Sequence, residues 1–266
     1  MGKIKKQIGL ALGGGSARGF AHIGVLKVLN EAGINVDMIA GTSMGAVIGA
    51  FYCSGIDLTL MERLAGQIQR RNWLDWTFPR MGLASGDKLE QMLLLLTRKR
   101  TFADLEKPLA VVATDLVRGE KVVISDGLVA RAVRASAAIP GVFCPVEFRG
   151  RMLVDGAVVE RVPVNTARDM GADVVLAVDL GIYVDGSKPN HIVDVIAQSL
   201  DIMQRDLCRL NTDVADVLIS PQLKHVAPGQ FHKAPEAVQA GEDATRAMMP
   251  QIKEFLRKEG CSAQQT

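Results

Sequence analysis

The sequence predicts an α/β fold, with one mostly parallel central sheet and helices on both faces, in a single domain over residues 1–266. Three observations lead there. Strand and helix signals alternate along the whole chain, as βαβ units require. Val174-Val175-Leu176-Ala177-Val178 is apolar throughout and rich in β-branched residues, the mark of a parallel strand covered on both faces. No repeat or low-complexity linker divides the 266 residues, a length that one large α/β domain can fill.

The elements follow in order. Ile8 to Leu12 reads as the first strand. From Phe20 to Ala32 the apolar residues Phe20, Ile23, Val25, Leu26 and Leu29 fall at helical spacing, and Gly33 stops the run. A second strand runs from Val36 to Ala40, and a helix leaves Gly45 towards Ser54-Gly55. Two helices follow, from Leu58 to Gln69 and from Lys88 to Leu96, with an irregular connection from Arg71 to Pro79 between them. Leu109 to Thr114 and Lys121 to Ser125 read as strands, and Leu128 to Ala138 as a helix that ends before Ile139-Pro140-Gly141. A short strand from Arg151 to Val154 stops at Asp155-Gly156, and a helix runs from Val162 to Met170. After the strand at 174–178 come a long helix from Ile192 to Leu210, a strand at Val217 to Ile219, and a last helix from Pro235 to Arg257.

Composition narrows the function classes. Hydrophobic residues make up 48% of the chain and charged residues 23%, a folded rather than disordered balance. A net charge of +2 is too near zero to argue for nucleic acid. Short basic clusters at Lys3/Lys5/Lys6, Arg70/Arg71 and Arg98/Lys99/Arg100 read as solvated faces or as contacts to anionic lipid. Cys53, Cys144, Cys208 and Cys261 are widely spaced without a C-x-x-C pair, which argues against a disulfide framework or zinc site and fits a reducing cytosol. The apolar stretch from Ile8 to Leu12 runs into glycines and is too short for a signal peptide. No run approaches the ~18 uncharged apolar residues of a membrane span. The expectation is a cytoplasmic protein whose membrane contact, if any, is peripheral.

Chemistry gathers at three glycine-marked strand ends, after Leu12, Ala40 and Val154. In parallel α/β sheets reacting groups collect at the carboxyl ends of strands, so the three should converge. Gly41-Thr42-Ser43-Met44-Gly45, between a strand and a helix, reads as a nucleophile elbow that exposes the Ser43 hydroxyl on a sharp turn. The plainer alternative is a tight strand–helix turn. Gly13-Gly14-Gly15-Ser16-Ala17-Arg18-Gly19 leaves backbone N–H groups free to face an anion. As a dinucleotide fingerprint it fails, because the third glycine falls at Gly19, one residue late, and no acid ends the second strand. As a P-loop it lacks G-K-[ST]. An oxyanion hole suits it better. Arg18 either orients that loop, meets a lipid phosphate or lies on the surface. Asp155-Gly156-Ala157 is by itself an ordinary turn, yet a partly buried carboxylate there could serve a serine as base.

Taken together, Gly13 to Gly19, Gly41 to Gly45 and Asp155-Gly156-Ala157 resemble the patatin-like phospholipase family, and Arg134 to Gly141 resembles a further block of it. The likeness covers about residues 7–180, leaving 181–266 to complete the domain. Phe20 to Leu26 resembles the bacterial branch related to the catalytic domain of neuropathy target esterase, here as a stand-alone member. The resemblance implies a lipid acyl hydrolase acting on fatty-acyl esters of phospholipids or lysophospholipids through an acyl-enzyme. Ser43 would be the nucleophile and Asp155 the base, with Gly13, Gly14 and Gly15 forming the oxyanion hole. Arg18, Gly19, Gly41, Gly45, Gly156 and Ala157 would support them, with no metal or organic cofactor. Two departures are mild: Ala157, where many relatives carry glycine, and Ser16 in the glycine loop.

Alternatives remain at this stage. The activity could be that of a thioesterase or general carboxylesterase, or the chain could be a lipid-binding regulator. A conventional triad would need His191, His225 or His232, the histidines after Asp155, whereas His22 reads as a packed or capping residue. Trp73, Leu74, Trp76 and Phe78 read as burial under a loop or as an amphipathic lip. Met92 to Leu96 reads as helix core in preference to an acyl-chain channel.

Overall fold

The computed structural model describes residues 6–67, 75, 81–182, 195, 196, 198–205 and 214–259. Its strands are β1 (Ile8–Leu12), β2 (Met38–Thr42), β3 (Leu109–Asp115), β4 (Glu120–Ile124), β5 (Val146–Phe148), β6 (Arg151–Asp155), β7 (Val174–Val178) and β8 (Val217–Ile219). They form one sheet of order β5-β6-β3-β2-β1-β7-β8, with β4 also paired to β3. β3, β2, β1, β7 and β8 are mutually parallel. β4 and β6 run antiparallel to β3, and β5 antiparallel to β6.

Alternation along the central strands divides the interior. Ile8, Leu10 and Leu12 of β1, with Val174, Leu176 and Val178 of β7, belong to the larger core. The residues between them, Ala11, Val175 and Ala177, belong to a smaller core on the other face. Helices α1 (Ala21–Glu31), α2 (Met44–Cys53), α3 (Leu58–Gln67), α4 (Asp87–Leu96) and α5 (Val129–Ser136) supply side chains to the large core. The short α6 (Val164–Asp169) covers the small one with Val164 and Ala167. Helix α7 (Ala234–Glu259) lies along α1 and buries Ala234, Ala237, Val238, Gly241 and Thr245, a stripe at helical spacing. Among the described residues, no helix is long and apolar enough to cross a membrane.

Most elements stand where the sequence puts them, and the differences are informative. The expected helix from Phe20 begins with a 3-10 turn, Ser16–Phe20, because the glycine loop closes tightly before α1. β2 runs two residues further than expected, to Thr42, so the strand itself delivers the elbow. β5 was not apparent, since three residues carry no period. The second long helix is seen at 198–205, and the aromatic cluster of Trp73, Leu74, Trp76 and Phe78 lies outside the described residues.

One feature of the sheet governs the site. Val111 and Val112 pair with both β2 and β4, so those strands lie on opposite edges of β3. Ala113 to Asp115 pair with both β4 and β6, which puts β6 on the edge that β2 occupies lower down. β2 ends with Thr42 opposite Val112, and β6, running the other way, ends with Asp155 opposite Ala113. The two strand ends therefore meet head-on. The three glycine-marked strand ends do converge, although Asp155 arrives on an antiparallel strand whose register brings it level with the elbow.

Candidate functional site

Ser43 follows β2 and precedes α2, with φ 54° and ψ −122°, a conformation that L-residues rarely adopt. A Cβ on Gly45 would lie 2.1 Å from the Leu12 carbonyl oxygen, so glycine there lets α2 start against the end of β1. Side chains at Gly41 and Gly19 would meet the Ala46 backbone and Met44 respectively. Thr42 Oγ1 donates to the Glu160 carbonyl at 2.9 Å, tying the elbow to the segment after Asp155.

Ser43 Oγ donates to Asp155 Oδ2 at 2.6 Å. The other carboxylate oxygen, Oδ1, accepts from the Ala157 N–H at 2.9 Å. Gly156 makes this turn possible, since a Cβ there would sit 2.2 Å from the Val112 carbonyl oxygen. Both side chains are buried, Ser43 at 6% exposure and Asp155 at 4%. Burial pushes the Asp155 carboxyl up to about 6, against the opposing pulls of the Ser43 and Ala157 hydrogen bonds and the Arg161 charge. A carboxylate with that affinity for protons, in contact with a serine hydroxyl, is equipped for general-base work near neutral pH.

The glycine loop lies beside the serine, as a Cβ on Gly14 would be 3.3 Å from that of Ser43. Its N–H groups are not equally free. Gly13 N–H donates to the Val178 carbonyl at 3.1 Å and Gly14 N–H to the Arg161 carbonyl at 2.9 Å. The expectation that all three glycines offer donors is thereby narrowed: the first two anchor the loop to the sheet. The N–H groups of Gly15, and of Met44 at the first position of α2, have no hydrogen-bond partner among the described residues.

Arg18 is buried, and its Nε donates to the Val226 carbonyl at 2.8 Å. It ties the loop to the segment before α7 and is buried, which corrects the surface reading. Ser16 Oγ and Ala17 N–H both donate to the Pro228 carbonyl, reinforcing the same join. His22 is buried, with Nε2 2.7 Å from the Gly13 carbonyl oxygen. Burial lowers its pKa to about 4, so the ring is neutral at pH 7 and braces the loop from beneath.

An apolar cavity opens onto Ser43. Val47, Ile48 and Phe51 of α2 line one wall, Met61, Leu64 and Ala65 of α3 another, and Leu89, Met92 and Leu96 of α4 a third. Phe20, Phe143 and Phe231 close it, the rings of Phe20 and Phe231 meeting edge to face at 5.9 Å. The reading of Met92 to Leu96 as core holds for Leu93, but Met92 and Leu96 face the cavity. His225 and His232 are exposed, and His225 Nε2 lies 3.6 Å from Glu236. Asp155 Oδ2 is the atom that accepts the hydrogen bond of the Ser43 hydroxyl, and His191 lies outside the described residues.

Residues that sequence reasoning left without a role also meet here. Ser43 N–H donates to Ser136 Oγ at 2.9 Å, and Asp155 N–H to the Ala138 carbonyl at 3.0 Å. Their signal was the block from Arg134 to Gly141, which shows no local reason to touch either strand end.

Comparison with known proteins bears on the family and the fold. The sequence model described as patatin-like phospholipase matches residues 10–168. Lysophospholipase nte1 of Aspergillus fumigatus is 34% identical over 206 residues, 75% of this chain and 14% of that protein. An uncharacterized NTE family protein of Mycobacterium bovis is 34% identical over 212 residues, 79% of this chain and 59% of that one. The chain thus spans less than two thirds of the length of these relatives. Among solved structures, VipD from Legionella pneumophila superposes with a TM-score of 0.67 at 15% identity, covering 93% of this chain and 67% of that one. The type III effector ExoU gives 0.53 at 14% identity, covering 93% and 53%. Both likenesses bear on the fold.

Proposed function

We propose that this chain, which belongs to the patatin-like phospholipase family, hydrolyses fatty-acyl esters of phospholipids or lysophospholipids. The observation that carries the proposal is the 2.6 Å hydrogen bond from Ser43 Oγ to Asp155 Oδ2 at the mouth of an apolar cavity. Ser43 Oγ attacks the ester carbonyl carbon while its proton passes to Asp155 Oδ2. The tetrahedral oxyanion is held by the N–H groups of Gly15 and Met44, which lie near the serine and have no hydrogen-bond partner among the described residues. The first turn of α2 adds its positive dipole end. Collapse breaks the carbonyl–alkoxy bond, and Asp155 returns the proton to the departing alcohol. Water, deprotonated by Asp155, then attacks the acyl-enzyme, and Ser43 regains its proton as the fatty acid leaves.

The cavity gives the acyl chain a place to lie. Val47 and Phe51 follow Ser43 on one face of α2, and the rise from Ser43 to Phe51 is ~12 Å at about 1.5 Å per residue. Such a wall suits one extended chain. The names of the fungal relatives support a lysophospholipid, which carries a single chain. A hydrolysis panel of phospholipids, lysophospholipids, acyl thioesters and short p-nitrophenyl esters, with Ser43→Ala as control, tests the reading. Turnover of lipid esters that vanishes in the variant is the expected result. Unchanged turnover in Ser43→Ala removes the nucleophile, and preference for thioesters replaces the substrate class.

A further inference from the structure

The two groups of the proposed dyad come from distant parts of the chain, yet their backbones are held by one short segment. Ser136, the last residue of α5, is fully buried and uses its hydroxyl twice. Its Oγ–H donates to the Val112 carbonyl at 2.6 Å, and its lone pair accepts the Ser43 N–H at 2.9 Å. Two residues on, the Ala138 carbonyl accepts the Asp155 N–H at 3.0 Å. Val112 belongs to the strand on whose edge β2 and β6 meet. The segment itself is fixed, because Ala137 N–H donates to Val133 and Ala138 N–H to Ala135 within the end of α5.

We infer that the end of α5, Ser136 to Ala138, is a clamp that sets the separation of Ser43 and Asp155, with the Ser136 hydroxyl as the positioning residue for the nucleophile. Strained backbone persists only where its surroundings over-determine it. Ser43, at φ 54°, has its N–H held by Ser136 and its hydroxyl held by Asp155. Without the Ser136 oxygen, the Ser43 N–H and the Val112 carbonyl both lose a buried partner, and the elbow relaxes to recover one. The hydroxyl of Ser43 then drifts from the carboxylate. Because the N–H of Ser43 is committed to Ser136, oxyanion binding falls to neighbouring donors such as Gly15 and Met44, whose N–H groups have no partner among the described residues. This inference rests on Ser43 and Asp155 acting as the dyad.

The test measures kcat, KM and their pH dependence on a short soluble ester, with melting temperature, for Ser136→Ala, Ser136→Thr, Ser136→Cys and Ile252→Ala. Ile252 is a fully buried residue of α7 outside the site, so its truncation reports stability loss alone. Ser136→Ala is expected to lower kcat ~30- to 100-fold, with KM changed less than about twofold, since misplacement of a reacting group by about 1 Å costs that much. The acid limb of its profile should move to higher pH as the Ser43 hydrogen bond to Asp155 weakens. Arg161, the charged group acting on that carboxylate among the described residues, is unchanged in the variant. Ser136→Thr restores most of kcat by returning the hydroxyl. If the alanine variant does not fold, Ser136→Cys, with its weaker acceptor, should lose about tenfold. A kcat within threefold of the parent in both Ser136→Ala and Ser136→Cys overturns the clamp, as does an equal loss in Ile252→Ala. Ser43→Ala, run alongside, separates the two claims: if it keeps full turnover, the dyad itself fails, whereas loss there with normal Ser136 variants rejects the clamp alone.

Discussion

Ser43 Oγ lies 2.6 Å from Asp155 Oδ2 because the strands that carry them, β2 and β6, end against each other on one edge of β3. The contact joins residues 112 positions apart, and its geometry is set by register. Thr42 faces Val112 and Asp155 faces Ala113, so a slip of either strand by one residue would turn a reacting side chain to the opposite face. Glycine is needed on both sides, at Gly156 against the Val112 carbonyl of β3 and at Gly45 against the Leu12 carbonyl at the end of β1.

The Asp155 carboxyl, pushed up to about 6 by burial, gives the first prediction. The proposed base works ionised, so kcat/KM should fall about tenfold per pH unit below that value and level off above it. A pH profile on a substrate without titratable groups checks this. An inflection near 4, the ordinary carboxylate range, would mean that the base is solvated in the working enzyme.

The same shift carries a stability cost. A carboxyl whose folded pKa lies above its unfolded value of 3.8 binds protons more tightly in the folded state. Stability from this group is therefore present in full below about pH 4 and is lost as pH rises through about 6. At pH 7 the buried charge costs on the order of 1–3 kcal/mol. Asp155→Asn should abolish turnover yet raise the melting temperature by ~3–8 °C at pH 7, with the gain shrinking towards pH 4. Melting curves of both proteins at pH 4, 5.5 and 7 decide it.

Backbone strain at Ser43 predicts an inversion of the usual order of substitutions. Glycine ordinarily costs stability relative to alanine by loosening the unfolded chain. At φ 54° and ψ −122° alanine keeps the strain and glycine relieves it, by about 1–3 kcal/mol. Ser43→Gly should melt above Ser43→Ala, both inactive. The reverse order would show an unstrained elbow.

Chain-length preference should follow the wall of α2. Val47→Trp fills the cavity one turn from the serine and should reduce hydrolysis of long-chain esters at least tenfold while sparing acetate and butyrate esters. Phe51→Ala, two turns away, should shift the optimum towards longer chains. A p-nitrophenyl ester series from two to sixteen carbons reads both. Equal loss across all lengths in Val47→Trp would place the acyl chain elsewhere.

Much of this was legible in the sequence. The run at 174–178 is buried at every position as a strand covered on both faces must be, and the elbow and Asp155-Gly156 show themselves through turn chemistry. What could not be read is non-local. That β6 runs antiparallel depends on pairing with Ala113 to Asp115, which no residue of β6 encodes alone. Nor does the glycine loop announce that Gly13 and Gly14 spend their N–H groups on Val178 and Arg161, more than half the chain away in sequence. Arg18 is the plainest case: a charged residue in a first helical turn can as well be exposed, and its burial is accompanied by donation to the carbonyl of Val226, far away in sequence. Met92 and Leu96 carry a helix-core pattern because a wall of an apolar cavity and a core face have the same composition.

The most direct measurement is mass spectrometry of the protein after reaction with a fluorophosphonate, in the parent, Ser43→Ala, Asp155→Asn and the double variant His225→Ala/His232→Ala. The Ser43–Asp155 dyad predicts a single adduct on Ser43, formed at the parent rate in the histidine variant, slowed at least a hundredfold in Asp155→Asn and absent in Ser43→Ala. An adduct on another residue, or parent-rate labelling of Ser43 without the Asp155 carboxylate, would contradict it.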